Sequence, residues 1–200
     1  MPRVTDEHRA ERREQILEAA RRCFSRDGFH QTSMIDIFDE AGLSSGAVYG
    51  YFKSKDELIV AIAELVIGQL SDIIAPLAAQ DPPPSAEEFV HQVLTRVDDM
   101  AFGPAGYGRL APQVWSEALR NPKLAEVLAG QYREIAATVA ELVERQQKYG
   151  LVPGDAVPRE VVPVLMGGSI GYIVQRLLFG SLSPQSYAAG VAAIAGRPRP

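Results

Sequence analysis

The chain has 200 residues, 46% hydrophobic and 22% charged, with a formal net charge of −5. This composition is ordinary for a folded protein and excludes general disorder, while the single cysteine, Cys23, excludes an internal disulfide. The length allows one large domain or two modest ones.

The acidity is not evenly spread. Residues 1–55 carry nine Lys/Arg and nine Asp/Glu, whereas residues 56–200 carry eleven and sixteen. The first part therefore holds a basic set (Arg3, Arg9, Arg12, Arg13, Lys53 and Lys55) that can meet phosphates while the bulk keeps the protein soluble. Charges stand where a signal peptide would have its apolar core. No apolar run is expected to approach the ~20 residues of a membrane helix, since Gly and Pro interrupt Val161–Phe179. The reading is a cytoplasmic protein with no membrane partner.

In chain order, residues 1–8 read as a loose arm, and Arg9 to Asp27 as a helix whose inner stripe is Ile16, Ala19, Ala20, Cys23 and Phe24. Gly28 ends it and Phe29 packs back. Ser33 can cap a second helix, with Asp36 answering in a capping box, and Ile37 and Ala41 share its buried face. Gly42 suits the left-handed backbone of a sharp stop. Ser44 then caps a third helix with Val48 and Phe52 inward. Two short helices joined by so tight a turn form a helix-turn-helix, whose second helix lies in the DNA major groove.

Ser54 and Glu57 open a fourth helix, with Leu58, Ile59, Ile62, Leu65 and Val66 on its apolar face. It extends to about Ala75, where Pro76 stops or kinks it. Three prolines in residues 80–84 make a turn, and Ser85 with Glu88 opens a fifth helix carrying Phe89, Val93, Leu94 and Val97. Residues 102–108 read as a loop. A sixth helix spans Leu110–Leu119. Asn121-Pro122 starts a seventh that Gly150 closes near Tyr149. Pro158 opens an eighth, ended by Gly180, and Ser183-Pro184 opens a ninth, to about Ile194. The tail GRPRP is expected to be disordered. No alternating β-branched run appears, so the fold class is all-α with about nine helices. The expected division is a DNA-binding domain at 1–53 and a ligand-binding and dimerisation domain at 54–200.

Residues from about Glu11 to Leu58 resemble the tetracycline-repressor (TetR) family of bacterial transcription regulators. The matching stretches are ILEAARRCFSRDGF, TSMIDI and AGLSSGAVYGYFKSKDEL. The resemblance implies a homodimer, joined through the last two long helices, with two DNA-reading heads on a helical body. It also implies a small-molecule pocket whose occupancy changes the spacing of the heads, so that the protein leaves a palindromic operator on double-stranded DNA. A ligand-independent or protein-responsive regulator is the alternative, and activation is as compatible with operator binding as repression.

For DNA, Thr32 and Ser33 at the start of the second helix suit a phosphate, and Lys53 and Lys55 match phosphate-contacting positions of the family. Tyr49 can reach the backbone or a base edge. Ser45, Gly46, Ala47 and Gly50 line the groove-facing part of the third helix, with Ser44 at its cap a further DNA-binding candidate. They offer no Arg, Gln or Asn for a bidentate base contact. Ile35 stands where some relatives carry a basic residue and can touch thymine methyls. The expectation is close backbone approach with apolar and shape readout. Phe38, where a small residue is usual, requires either a wider spacing of the second and third helices or a ring turned toward the first.

For the effector, a largely apolar molecule, Phe102, Trp115 and Met166 are preferred as lying on the middle helices away from the dimer seam, with Phe89 and Tyr132 as further wall candidates. Gly167, Gly168, Ser169 and Gly171 form a small-residue patch suited to close helix approach at a seam or to bending beside a pocket. No metal-ligand cluster, phosphate loop or nucleophile motif is present, so neither enzyme activity nor a cofactor is expected.

Overall fold

The computed structural model describes residues 6–103 and 106–195. The expectations for Arg3, for the tip of the 102–108 loop and for the GRPRP tail lie outside the described residues. Those residues form helices and no strand: α1 Asp6–Asp27, α2 Met34–Ala41, α3 Ser45–Tyr49, α4 Lys55–Ala78, α5 Ala86–Phe102, α6 Ala111–Ala118, α7 Pro122–Lys148, α8 Pro158–Phe179 and α9 Pro184–Ile194, with one 3-10 turn at Tyr107–Arg109.

Local signals explain most of these ends. The Ser33/Asp36 and Ser85/Glu88 capping boxes are both formed, each satisfying two otherwise orphan N–H groups. Asn121 Oδ1 accepts from Leu124 N at 3.1 Å. Gly42 and Gly180 close α2 and α8 with positive φ of 65° and 73°, where any side chain would be strained. Two boundaries differ from the sequence expectation. Helix α1 begins at Asp6 rather than Arg9, with Asp6 and Glu7 favouring its positive N-terminal end. Helix α4 continues past Ala75 and holds Pro76 in its final turn.

The chain divides into two compact units. The first is Met1–Val66 together with Arg109–Val127, and the second is Ile67–Gly108 together with Leu128–Pro200. Helix α6 therefore groups with the N-terminal helices. In the first unit, Ile16, Ala19, Ala20, Cys23 and Phe24 of α1 are buried, as are Ile37, Ala41, Val48 and Phe52. Burial of Cys23 pushes its thiol pKa up, as suits a packed, unreactive side chain. Leu65, expected on the buried face of α4, is exposed. In the second unit, Val90, Leu94, Tyr172 and Ala188 form a core where α5 meets α8 and α9. Tyr172 donates to Asp98 Oδ1 at 2.6 Å, and burial, with this bond second, raises its pKa.

The expectation that no apolar run reaches membrane length needs correction. Helices α4 and α8 are both long and apolar enough by length and composition. They differ in cover: 44% of the apolar window of α4 is buried, but only 11% of that of α8. Val164, Leu178 and Phe179 are each at least 70% exposed. The sequence hid this because glycines and Pro163 break the look of the run without ending the helix.

Candidate nucleic-acid interface

The helix-turn-helix is assembled from short-range chemistry. The Oγ of Ser33 accepts from Asp36 N at 3.2 Å and the Asp36 carboxylate accepts from Ser33 N at 2.7 Å. Both the Ser33 hydroxyl and its N–H hold the Asp36 carboxyl below its ordinary pKa. Helix α2 is tied to α1 by Gln15, whose Nε2 donates to Ala41 O at 2.8 Å. Arg22 and Arg26 both reach Glu40, and with the Arg22 bond foremost they lower its pKa. Ser44 caps α3 through Ala47 N. Buried Ile37, Ala41 and Val48 form the inner side of the pair.

The outward face carries Ser44, Ser45, Gly46 and Tyr49, all exposed, with Ala47 half-buried and Ile35 of α2 66% exposed. These named residues carry no charge, while exposed Asp36 and Asp39 flank Ile35 on α2. A Cβ built on Gly46 would meet nothing within 4 Å, so the packing of this chain does not require a glycine there. Phe38 meets Tyr49 edge to face. The ring thus packs against Tyr49 of α3.

The four expected phosphate ligands have different surroundings. Ser33 and Lys53 are exposed. The ammonium of Lys53 donates to Tyr49 O, over the end of α3. Thr32 is buried, and its Oγ1 donates to Gly28 O at 2.8 Å. The ammonium of Lys55 donates to Phe29 O at 2.7 Å and Thr32 O at 3.0 Å. Thr32 and Lys55 thus belong to the scaffold under the α1–α2 turn. Sequence proximity to the motif did not separate such a support from a surface contact.

One supporting residue had no signal in the sequence. Gln113 of α6 accepts from Phe29 N at 2.8 Å through Oε1, and its Nε2 donates to Phe24 O at 3.3 Å and Arg109 O at 2.9 Å. It stands 84 residues from Phe29, beyond the reach of any local pattern.

The five residues expected to form the effector site fall in both units. Trp115 belongs to the first unit. Phe89, Phe102, Tyr132 and Met166 belong to the second, and Met166 lies on α8, the helix assigned to the dimer seam. Phe89 is buried in α5, and Phe102 lies under the Arg176 guanidinium, 5.0 Å from the ring centroid. A cavity of about 780 Å³ exists within the second unit. Its mainly apolar walls include Val90, Val161, Leu165, Tyr187 and Val191, and none of the five. Among the described residues no group of His, Cys, Asp and Glu could hold a metal.

Comparison with known proteins agrees with this geometry. Residues 16–62 match the profile of bacterial regulatory proteins, tetR family. An HTH-type transcriptional repressor of Mycobacterium tuberculosis is 29% identical over 191 residues, covering 94% of each chain. The HTH-type transcriptional regulator UidR of Escherichia coli is 28% identical over 184 residues, covering 92% of this chain and 91% of its own. Two solved structures share the fold. A regulator from Saccharomonospora viridis in complex with choline has a TM-score of 0.76 at 24% identity, over 94% of this chain and 96% of its own. FadR from Bacillus subtilis in complex with stearoyl-CoA has a TM-score of 0.75 at 15% identity, over 90% and 96%. The capped helix pair, the all-helical body and these matches point the same way: residues 16–62 match the tetR-family profile, and over most of its length the chain is similar to HTH-type transcriptional regulators.

Proposed function

We propose that this protein is a cytoplasmic repressor that binds a palindromic operator as a homodimer and releases it when a small, largely apolar ligand occupies its body. The observation that carries the DNA half is the exposed, uncharged set Ser44, Ser45, Gly46 and Tyr49 of the α3 end, with Ile35 of α2, beside exposed Lys53. Such a face reads bases by close approach and methyl contact, while phosphate contacts set its register. Residues 1–53 are the DNA-contacting domain. Ser33, Ile35, Ser44, Ser45, Gly46, Ala47, Tyr49 and Lys53 are its contacting residues, and Thr32 and Lys55 hold their support. Residues 54–200 carry the ligand and the dimer seam.

The cavity supports the ligand-responsive reading over a ligand-independent one. Its volume falls in the range of about 300–1,000 Å³ usual for small-molecule sites. The ligand assignment accordingly moves from the five expected residues to its apolar walls. Repression follows the M. tuberculosis relative, and the choline and stearoyl-CoA complexes of the structural neighbours support a small-molecule effector.

The exposed apolar side of α8 supports the dimer. A Cβ on Gly167 would meet nothing within 4 Å, so a helix glycine that costs about 1 kcal/mol relative to alanine has no reason within one chain. Gly168 differs: its Cβ would come within 3.1 Å of the Tyr187 hydroxyl, an internal reason. Close approach of a second α8 accounts for Gly167.

A footprint of the purified protein on DNA flanking its gene tests the reading. It is repeated with long-chain acyl compounds and with choline. A protected inverted repeat, lifted by one of these compounds, is expected. Absence of any protected inverted repeat removes the operator-binding reading.

A further inference from the structure

We propose that Gln113 and Lys55 are positioning residues for DNA binding: together they clamp the α1–α2 turn from opposite sides and so set the helix-turn-helix in its reading position. The inference rests on the DNA-binding reading and extends the reading head to α6, more than fifty residues beyond its last contacting side chain.

The clamp closes on the two backbone groups of one residue, Phe29. Gly28 turns the chain out of α1 with φ of +83°. At the next residue, Phe29 N–H donates to Gln113 Oε1 at 2.8 Å and Phe29 C=O accepts from Lys55 Nζ at 2.7 Å. Its ring is buried against Phe24, with centroids 4.9 Å apart. Backbone donor, backbone acceptor and side chain of Phe29 are thus each held by a different residue. The clamp extends in both directions. Gln113 Nε2 also donates to Phe24 O, in the last turn of α1, and Lys55 also donates to Thr32 O, one residue before the Ser33 cap of α2. Thr32 is closed onto Gly28 O through both its N–H and its hydroxyl.

Besides the Thr32–Gly28 closure, both backbone groups of Phe29 are satisfied from outside the turn, so these partners help set its conformation. The first residue of α2 is five beyond Phe29. A displacement of Phe29 therefore moves the start of α2, the Ser33 cap and Ile35 together. Hydrogen bonds from a charged ammonium to two carbonyls are stronger than neutral ones. This use also removes Lys55 from the groups free to neutralise phosphate. Near the same turn, His30 Nε2 lies 3.1 Å from an Arg120 guanidinium nitrogen and 3.9 Å from Glu117. That exposed contact adds little hold, but it comes from the same α6 end of the unit.

The test uses the full chain, the operator duplex defined by footprinting and a scrambled duplex of equal length. Non-specific binding depends on charge and specific binding on position, so the two duplexes separate the roles. Gln113→Met is expected to weaken operator binding by about tenfold or more and to leave scrambled-duplex binding within about twofold. The slope of log K against log salt should not change. Amide exchange should accelerate at Phe29 and Thr32. Lys55→Met is expected to behave alike, whereas Lys53→Met should reduce the salt slope by about 0.9, as loss of one phosphate contact does. Should Gln113→Met not fold, Gln113→Glu retains the acceptor for Phe29 N–H and loses the two donors, and the same selective loss is expected. Unchanged operator binding in the Gln113 variants, equal losses on both duplexes, or a slope drop of about 0.9 in Lys55→Met would overturn the clamp. Wild-type protein that binds both duplexes equally would instead remove the DNA-reading role, and amide exchange at Phe29 in the variants would then decide the clamp alone.

Discussion

Phe38 and Tyr49 meet edge to face, with ring centroids 5.3 Å apart and planes at 70°. One ring lies on each helix of the helix-turn-helix, and Tyr49 remains 41% exposed. The pair braces the tyrosine where α3 presents its outer face. Such an aromatic contact adds about 0.5–1.5 kcal/mol beyond its burial. Phe38→Ala should lower thermal stability by about that amount or more and weaken operator binding by freeing the Tyr49 ring. Calorimetry and fluorescence anisotropy measure both effects. Weakened stability with full operator affinity would show that the brace does not serve reading.

Gly46 gives an opposed pair of expectations. Alanine has open space at this position and favours the helix by up to about 1 kcal/mol. Gly46→Ala should therefore raise the melting temperature. It should also weaken operator binding, because a methyl group would hold the α3 backbone off the DNA. An equally tight or tighter complex would remove the close-approach reading.

The proposed dimer seam is tested on α8. Leu178→Glu places a charge on an exposed apolar position, and Gly167→Leu fills the open site on the same helix. Both should shift the protein to monomer in size-exclusion chromatography with light scattering. Operator binding should fall with the dimer, since each protomer then carries one head against a two-part site. Wild-type protein that runs only as monomer at micromolar concentration would eliminate this seam.

Acid should loosen the first unit. Asp36, held by Ser33, and Glu18 and Glu40, held first by Arg21 and Arg22 respectively, all have folded pKa values below their ordinary 3.8 and 4.5. Their contribution is therefore present above those ordinary values and is lost as pH falls through the lowered folded ones. Asp36 is exposed and Glu18 and Glu40 are half-buried, so salt should reduce the effect. Trp115, the single tryptophan, lies in this unit and reports on it. Its fluorescence should show a transition below about pH 4.5, with a weaker pH dependence in Glu40→Gln. Identical acid profiles for wild type and Glu40→Gln would exclude the Glu40 cluster as a cause.

What the sequence alone determined is the helical fold and its punctuation. Caps, glycine stops and proline starts act over three or four residues, so Ser33 with Asp36, Ser85 with Glu88, Asn121 with Pro122, and Gly42 and Gly180 were all legible. The ordered set from Ile16 to Leu58 also marked the reading head, because it specifies a local arrangement of three helices. Only the tertiary structure decided which polar groups remain free. Lys53 and Lys55 are two residues apart and alike on paper, yet one ammonium lies exposed beside Tyr49 O and the other bonds two carbonyls of the α1–α2 turn. Thr32 turned inward for the same reason: a turn must satisfy its own backbone before it offers anything outward. Gln113 could not be foreseen, since its partners lie more than eighty residues away. The cavity walls come from α5, α8, α9 and the α7–α8 loop, a meeting of distant segments that no periodicity encodes. Local chemistry is written in neighbouring residues, whereas the availability of a side chain depends on everything that folds around it.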